Sequence, residues 1–159
     1  IYLLRHGTAE PGPPEGPPDP DRALVDKGRR QSRRAAAFLD AAGARFDRVL
    51  TSPLLRAVQT AEEVVSALDQ EGSIEESTAL SPDSSTRVAL EALLGRAASC
   101  LLTVGHEPLL SDIAATLIGD ATARINLRMG GIIELRLVEI SPPRAELLGM
   151  IRPGHRFRG

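Results

Sequence analysis

The chain has 159 residues, of which 42% are hydrophobic and 25% are charged, and its formal net charge is −2. These values are typical of a soluble globular protein, and the length suits one compact domain spanning residues 1–159. The small net charge gives no general attraction to nucleic acid or to acidic membranes. No apolar run approaches the roughly 20 residues that cross a bilayer, and no secretory signal is visible. The single cysteine, Cys100, excludes an internal disulfide. We therefore expect a cytoplasmic monomer without membrane or nucleic-acid partners.

Short apolar runs alternate with amphipathic stretches along the chain. The predicted strands lie over 1–4, 48–51, 74–80, 100–104, 131–140 and 144–151, and the predicted helices over 26–42, 53–68, 83–94 and 108–118. The first helix has its predicted buried stripe at Ala35, Phe38, Leu39 and Ala42. Ser52 and Pro53 suit the cap and the first position of the second helix. Residues 11–20 hold six of the twelve prolines, which predicts an extended loop at the rim of a site.

The order of these elements indicates the fold class. Strands that alternate with helices predict a mainly parallel sheet with helices on both faces, a three-layer α/β/α architecture. The last two strands are joined through Ser141, Pro142 and Pro143, which predicts an antiparallel addition at one end of the sheet.

Basic and hydroxyl side chains follow three of the predicted strands. Arg5 and His6 follow the first strand, Ser52 follows the second with Arg56 in the next helical turn, and His106 follows the fourth. Because the carboxyl ends of parallel strands share one edge of a sheet, we expect these side chains to converge there. Helix N-termini at the same edge add backbone N–H donors. The result is an electropositive pocket that suits a phosphate group.

The sequence disfavours two other kinds of site. A metal site normally needs a third protein ligand, and none is spaced near His6 or His106, so we predict no metal and no cofactor. His155 lies in a basic stretch and is predicted to be a surface histidine. A dinucleotide site is disfavoured because no G-x-G-x-x-G follows the first strand.

Three segments together resemble the signatures of the histidine phosphatase superfamily, in its phosphoglycerate-mutase-like branch. They are Leu-Arg-His-Gly at 4–7, Ser-Pro-Leu-Leu-Arg-Ala-Val-Gln-Thr-Ala at 52–61 and Val-Gly-His-Glu-Pro at 104–108. The short chain and the segment at 21–28 are most similar to SixA-type phosphohistidine phosphatases. The resemblance implies a phosphoglycerate-mutase-like fold and a hydrolase that acts through a phosphohistidine intermediate.

The resemblance also implies roles for particular residues. His6 corresponds to the nucleophile, and Arg5, Arg56 and His106 correspond to the residues that hold the transferring phosphoryl group. Further candidates for binding substrate are Thr8, Arg22, Ser52 and Glu107. For Arg22, a surface ion pair is an equal alternative. The charge state of His106 is open at this point.

The chain departs from the family at two places. Family members that act on phosphate esters usually have an acid between the second helix and the later buried strand, where this chain offers Glu71, Glu75, Glu76 and Asp83. None lies in a matching context, and Asp83 is retained as the candidate general acid. A phosphohistidine substrate needs less help, since its imidazole departs neutral when protonated on the second nitrogen. The family's usual capping threonine is Val25 here, so Asp26 could cap the first helix one residue later.

The predicted substrate is therefore phosphohistidine on a protein partner. Two alternatives stay open: a phosphatase of small phosphorylated metabolites, and a non-catalytic phosphate-binding module. Mutase activity is disfavoured, because the chain lacks room for the larger insertions of that branch.

Overall fold

A computed structural model describes residues 1–70, 73–95 and 97–151 of the chain. Glu71 and His155, both considered above, lie outside these residues. The strands are β1 (Tyr2–Arg5), β2 (Arg48–Thr51), β3 (Ile74–Glu76), β4 (Leu101–Gly105), β5 (Ile132–Ile140) and β6 (Pro143–Ile151). The helices are α1 (Asp26–Ala41), α2 (Leu55–Ala67), α3 (Thr86–Leu94) and α4 (Leu109–Leu117), with short 3-10 helices at Asp19–Asp21 and Thr78–Leu80. None of the described helices is long and apolar enough to cross a membrane.

The six strands form one sheet in the order β3-β2-β4-β1-β5-β6. The first four strands are mutually parallel, whereas β5 runs antiparallel to β1 and β6 antiparallel to β5. The predicted parallel sheet with an antiparallel C-terminal addition is confirmed.

Successive residues of the strands enter two separate cores. Leu3 packs with α3 and α4 on one face, and its neighbour Leu4 packs with α1 and α2 on the other face. The same alternation places Leu50 in the first core and Val49 in the second. Because side chains of a strand alternate between faces, a continuous apolar run indicates a sheet buried on both sides. The three-layer architecture is confirmed.

Two helix starts differ from the predictions by two or three residues, and the other boundaries of the four helices differ by at most one. The second helix begins at Leu55 rather than at 53, and its N-cap residue is Leu54, whose apolar side chain cannot cap it. The Ser52 hydroxyl contacts His106 and accepts from Leu54 N–H. The third helix begins at Thr86 rather than at 83, because Ser85 caps it by accepting from Val88 N–H. Neither Val25 nor Asp26 caps α1 through its side chain.

Two smaller predictions were wrong. The segment 74–80 is not one strand but β3 followed by a 3-10 helix. Ala42 is exposed rather than buried, because α1 ends and Gly43 turns the chain with a φ of +68°. This turn brings Ala44 into the core in its place. A left-handed φ of this kind favours glycine.

Candidate active site

The ends of β1, β2 and β4 bring the predicted residues to one edge of the sheet. Arg5 pairs with Gly105, and Thr51 pairs with Val104, so the three strands end at nearly the same level. The next backbone groups extend this ladder: His6 N–H donates to the Gly105 carbonyl at 3.1 Å, and Ser52 N–H donates to the Val104 carbonyl at 3.0 Å. These two hydrogen bonds fix the backbone of His6 and Ser52 beside the end of β4, the strand that His106 directly follows.

His6 and His106 form a buried pair at this edge. Their ring centroids are 4.9 Å apart, and the two residues are only 7% and 3% exposed. His6 Nδ1 lies 2.7 Å from the Gly7 carbonyl oxygen. A carbonyl oxygen can only accept, so Nδ1 donates the hydrogen bond and carries the ring proton. In the neutral ring this leaves the lone pair on Nε2.

Both histidines are uncharged at neutral pH. The pKa of His6 is lowered to about 4, mainly by burial and further by the charges of Arg56 and Arg5. The hydrogen bond to the Gly7 carbonyl raises this pKa but is outweighed. Burial also lowers the pKa of His106 to about 3, with further lowering by His6 and Arg56. His106 Nε2 is hydrogen bonded to the Ser52 hydroxyl at 2.8 Å. The open question of the charge of His106 is thus answered for the unliganded protein, where the ring is neutral.

Two arginines of the site are held in place by main-chain oxygens. Arg5 Nη1 donates to the Leu127 carbonyl at 2.9 Å, while its Nε is buried and has no partner among the described residues. Arg56 is 5% exposed, and its Nη1 donates to the Asp19 carbonyl at 2.8 Å. Arg56 Nη2 also lies 3.1 Å from the Asp19 carboxylate. Guanidinium groups held in this way can offer their remaining N–H groups to an anion.

Of the remaining predicted binding residues, Thr8 and Arg22 are engaged with neighbouring elements. The Thr8 hydroxyl donates to Gln31 Oε1 of α1 at 2.9 Å. Arg22 Nε donates to the Glu10 carbonyl, and Arg22 Nη1 forms an ion pair with Asp19 at 2.8 Å. Arg22 is nonetheless close enough to His6 to lower its pKa, so the ion pair and a position beside the site occur together.

Glu107 has a carboxyl group directed into the protein. Its Oε2 lies 2.6 Å from the Ser111 hydroxyl, which also lies 3.1 Å from the Ile125 carbonyl. Ser111 has one proton for two acceptors, so both contacts are satisfied together only when Glu107 is protonated and donates to Ser111. Burial raises the pKa of the Glu107 carboxyl, which favours that form.

The candidate acids Glu75, Glu76 and Asp83 occupy the segment from β3 to the start of α3. Asp83 is exposed in the turn before α3, and in the described ranges no hydrogen bond or ion pair joins it to a site residue. Glu75 forms an ion pair with Arg48, and Glu76 is exposed at the end of β3. Within residues 1–70, 73–95 and 97–151, no group of three or more His, Cys, Asp or Glu side chains is placed to hold a metal ion.

Sequence reasoning missed Asp19, the residue that joins Arg22 to Arg56. One carboxylate oxygen of Asp19 contacts Arg22 and the other contacts Arg56. The signal in the sequence was weak: an acidic residue three positions before an arginine, within a proline-rich loop. The loop does lie at the site, as predicted, through this residue.

A sequence model of the histidine phosphatase superfamily, branch 1, matches residues 1–80 of the chain. The phosphohistidine phosphatase SixA of Escherichia coli K12 is 32% identical over 120 residues, which cover 74% of this chain and 73% of that protein. This chain belongs to the histidine phosphatase superfamily. An uncharacterized protein of Picosynechococcus sp. strain PCC 7002 is 36% identical over 140 residues, with 86% of this chain and 84% of that protein covered.

The fold agrees with this membership in the superfamily. The solved structure of the protein histidine phosphatase SixA complexed with tungstate superposes with a TM-score of 0.83 and 28% identity, and the match covers 96% of each chain. The family and the similarity to SixA support phosphatase activity for this chain.

Proposed function

We propose that the chain is a SixA-type phosphohistidine phosphatase, which removes the phosphoryl group from a histidine of a protein through a phosphorylated His6. The observation that carries the proposal is the arrangement of His6. Its Nδ1 proton is committed to the Gly7 carbonyl, and its pKa of about 4 keeps the ring neutral. The lone pair on Nε2 is therefore available to attack phosphorus at neutral pH.

The surrounding residues supply the charge that phosphoryl transfer requires. In the first step a bond forms between His6 Nε2 and phosphorus, and the bond between phosphorus and the substrate nitrogen breaks, with its electron pair going to that nitrogen. In the second step a water oxygen bonds to phosphorus, and the bond between phosphorus and His6 Nε2 breaks with its electron pair returning to Nε2. The phosphate departs with both protons of the water. Negative charge on the equatorial oxygens is stabilised by nearby cations and donors in both steps. We assign this task to Arg5, Arg56 and His106.

The Nε of Arg5, which is buried and has no hydrogen-bond partner in the described part of the chain, supports an anion site next to His6. A buried donor without a partner has an unfavourable free energy, which an incoming phosphoryl oxygen would relieve. The likeness to SixA supports phosphohistidine as the substrate.

The proposal is tested by trapping the phosphorylated enzyme. The enzyme is mixed with a phosphohistidine protein and quenched rapidly without acid. We expect one histidine of the enzyme to be phosphorylated, and mass spectrometry should locate the phosphoryl group at His6. The chain has three histidines, so His155→Asn serves as the matched control and should retain the label. His6→Asn should lose both label and turnover. Label that persists in His6→Asn would refute the proposed nucleophile.

The substrate class is tested by parallel turnover assays. We expect the phosphohistidine protein to be hydrolysed with a higher kcat/KM than sugar phosphates, and a chelator to leave the rate unchanged. Turnover of sugar phosphates alone would instead support the small-metabolite alternative. Loss of activity on chelation would contradict the metal-independent mechanism.

A further inference from the structure

Asp19 is an exposed carboxylate attached to the buried arginine of the site. It lies in the 3-10 helix Asp19–Asp21, which belongs to the proline-rich loop. Its main-chain oxygen and its Oδ2 both accept from Arg56, and its Oδ1 accepts from Arg22. The Arg56 side chain is 6% exposed, whereas the Asp19 side chain is 51% exposed. The carboxylate therefore contacts the interior of the site on one side and solvent on the other.

The leaving group must lie on the side of the site that opens to solvent, and Asp19 is the solvent-exposed partner of the buried Arg56. His6 is buried and 7% exposed, so it approaches phosphorus from the interior. The attacking and leaving atoms are roughly in line across the transferred phosphoryl group. A leaving group opposite His6 consequently points toward solvent, which is the side on which Asp19 is exposed. Hydrogen bonds from Arg22 and Arg56 lower the pKa of Asp19 and keep it ionised at neutral pH.

We propose that Asp19 determines substrate specificity by accepting a hydrogen bond from the free ring N–H of the departing imidazole. The inference rests on the proposed function, and it assigns the recognition of a phosphorylated imidazole to a residue that sequence reasoning did not select. Such a ring bears phosphorus on one nitrogen and a proton on the other, so it is a donor for an ionised carboxylate.

The proton balance favours this substrate over an ester. When His6 attacks, the electron pair of the breaking bond between phosphorus and nitrogen goes to the ring, which keeps its other proton and departs as neutral imidazole. Asp19 stabilises the protonated ring before transfer, because an opposite charge within a few ångströms favours the charged form. An ester that departs as an alkoxide needs a proton, which an ionised Asp19 cannot supply.

A purely structural role is the alternative explanation of the same contacts. Asp19 could only hold Arg56 and Arg22 in position, in which case its substitution would weaken the transfer of every phosphoryl group equally. Asp19→Asn retains the main-chain oxygen and one side-chain oxygen that can accept from Arg56, but it lacks the charge and the second oxygen, which accepts from Arg22. The two roles therefore differ in the ratio of activities on two substrates rather than in either activity alone.

The test compares N-phosphoimidazole with p-nitrophenyl phosphate, whose leaving group departs without a proton. For the full chain carrying Asp19→Asn, we expect kcat/KM on N-phosphoimidazole to fall about 10- to 100-fold further than on p-nitrophenyl phosphate, the range expected for one hydrogen bond to a charged group. Asp21→Asn is the matched control, since Asp21 lies in the same 3-10 helix, is exposed and has no ion pair among the described residues. It should change neither activity. Thermal melting of both variants confirms that they fold.

Each outcome separates this inference from the proposed function. Equal losses on the two substrates in Asp19→Asn, or no loss on either, would overturn the specificity role while leaving the His6 mechanism intact. If the unmodified chain hydrolyses p-nitrophenyl phosphate but not N-phosphoimidazole, the proposed function itself fails, and the role of Asp19 fails with it.

Discussion

Replacement of Gly28 by alanine is expected to destabilise the protein, although the same change stabilises an ordinary helix. Gly28 is buried in the first turn of α1 and packs directly against the backbone of Gly7 and Thr8. A Cβ atom at position 28 would overlap the Thr8 carbonyl oxygen and lie 2.9 Å from the Thr8 nitrogen. A Cβ atom at position 7 would likewise lie 2.6 Å from the Gly28 oxygen. Two backbones in contact leave no flexible side chain to give way.

The expected magnitude follows from two opposing effects. Alanine is favoured over glycine in a helix interior by about 1 kcal/mol. Overpacking a tight site costs about 1–3 kcal/mol and occasionally more, and an overlap with backbone atoms lies at the upper end of this range. We expect a net loss of about 2 kcal/mol, which corresponds to a fall in Tm of about 4–8 °C for a chain of this size.

The same substitution should reduce activity through Gly7. Thr8 accepts from Val25 N–H at 3.1 Å and is tied to α1 by Gln31, so a displaced α1 moves the segment that contains Gly7. The Gly7 carbonyl fixes the proton of His6, and a shift of about 1 Å in a reacting group can reduce the rate roughly 100-fold.

Thermal melting and turnover assays of Gly28→Ala test both parts. Gly12→Ala is the matched control, because a Cβ there meets only the Arg22 side chain, at 3.9 Å, and it should leave Tm and rate almost unchanged. An unchanged or higher Tm for Gly28→Ala would refute the close backbone packing on which the reasoning depends.

Two further predictions concern the charges of the site. Arg56→Lys should lower kcat at least about 100-fold, because the single ammonium nitrogen of lysine cannot reproduce the planar fork with which Arg56 contacts two Asp19 oxygens and presents further N–H groups to the phosphoryl group; retained kcat in a steady-state assay would contradict its role. The stability of the protein should fall on acidification, since the pKa values of His6 and His106 are lowered to about 4 and about 3. The unfolded chain then binds more protons than the folded chain below about pH 6.5, so stability is retained above that pH and decreases toward pH 4. Between pH 6.5 and 5 each histidine should lower the free energy of unfolding by about 2 kcal/mol. Urea unfolding should show a weaker dependence on pH in His106→Asn than in the unmodified chain, and identical slopes would refute the burial argument.

The strands and the convergence of their ends could be predicted because they follow from short-range patterns. Leu3 and Leu4 belong to a short apolar run that ends at polar residues, and parallel strands share an edge once their order is known. The positions of Arg5, His6 and His106 needed nothing further. The starts of the second and third helices were less predictable, because a hydroxyl side chain near a helix start does not fix the first helical residue. The Ser52 hydroxyl accepts from Leu54 N–H and also contacts His106, and the helix begins only at Leu55.

The position of Asp19 at the site could not be predicted, because the loop that contains it follows no periodic sequence pattern. Its contact with Arg56 spans 37 positions of sequence and depends on the path of a proline-rich segment, which sequence periodicity does not describe. Glu107 is similar: its position after His106 suggested a substrate contact, yet its carboxyl group is hydrogen bonded to Ser111, one helical turn later. In both cases the residue type was visible, and the tertiary partner was not.

The neutral histidines and the permanently charged arginines are two consequences of one environment. Arginine keeps its proton in almost any protein site, whereas histidine can lose its proton. Burial, together with the positive charge of Arg5 and Arg56, therefore lowers the pKa of both histidines and leaves them neutral. This leaves His6 a nucleophile in the unliganded protein. A phosphoryl group bound between the same residues adds negative charge next to His106, and a neighbouring opposite charge raises the pKa of a histidine. We therefore expect His106 to gain affinity for a proton when substrate binds, so that it adds positive charge to the site at the stage when phosphoryl transfer requires it.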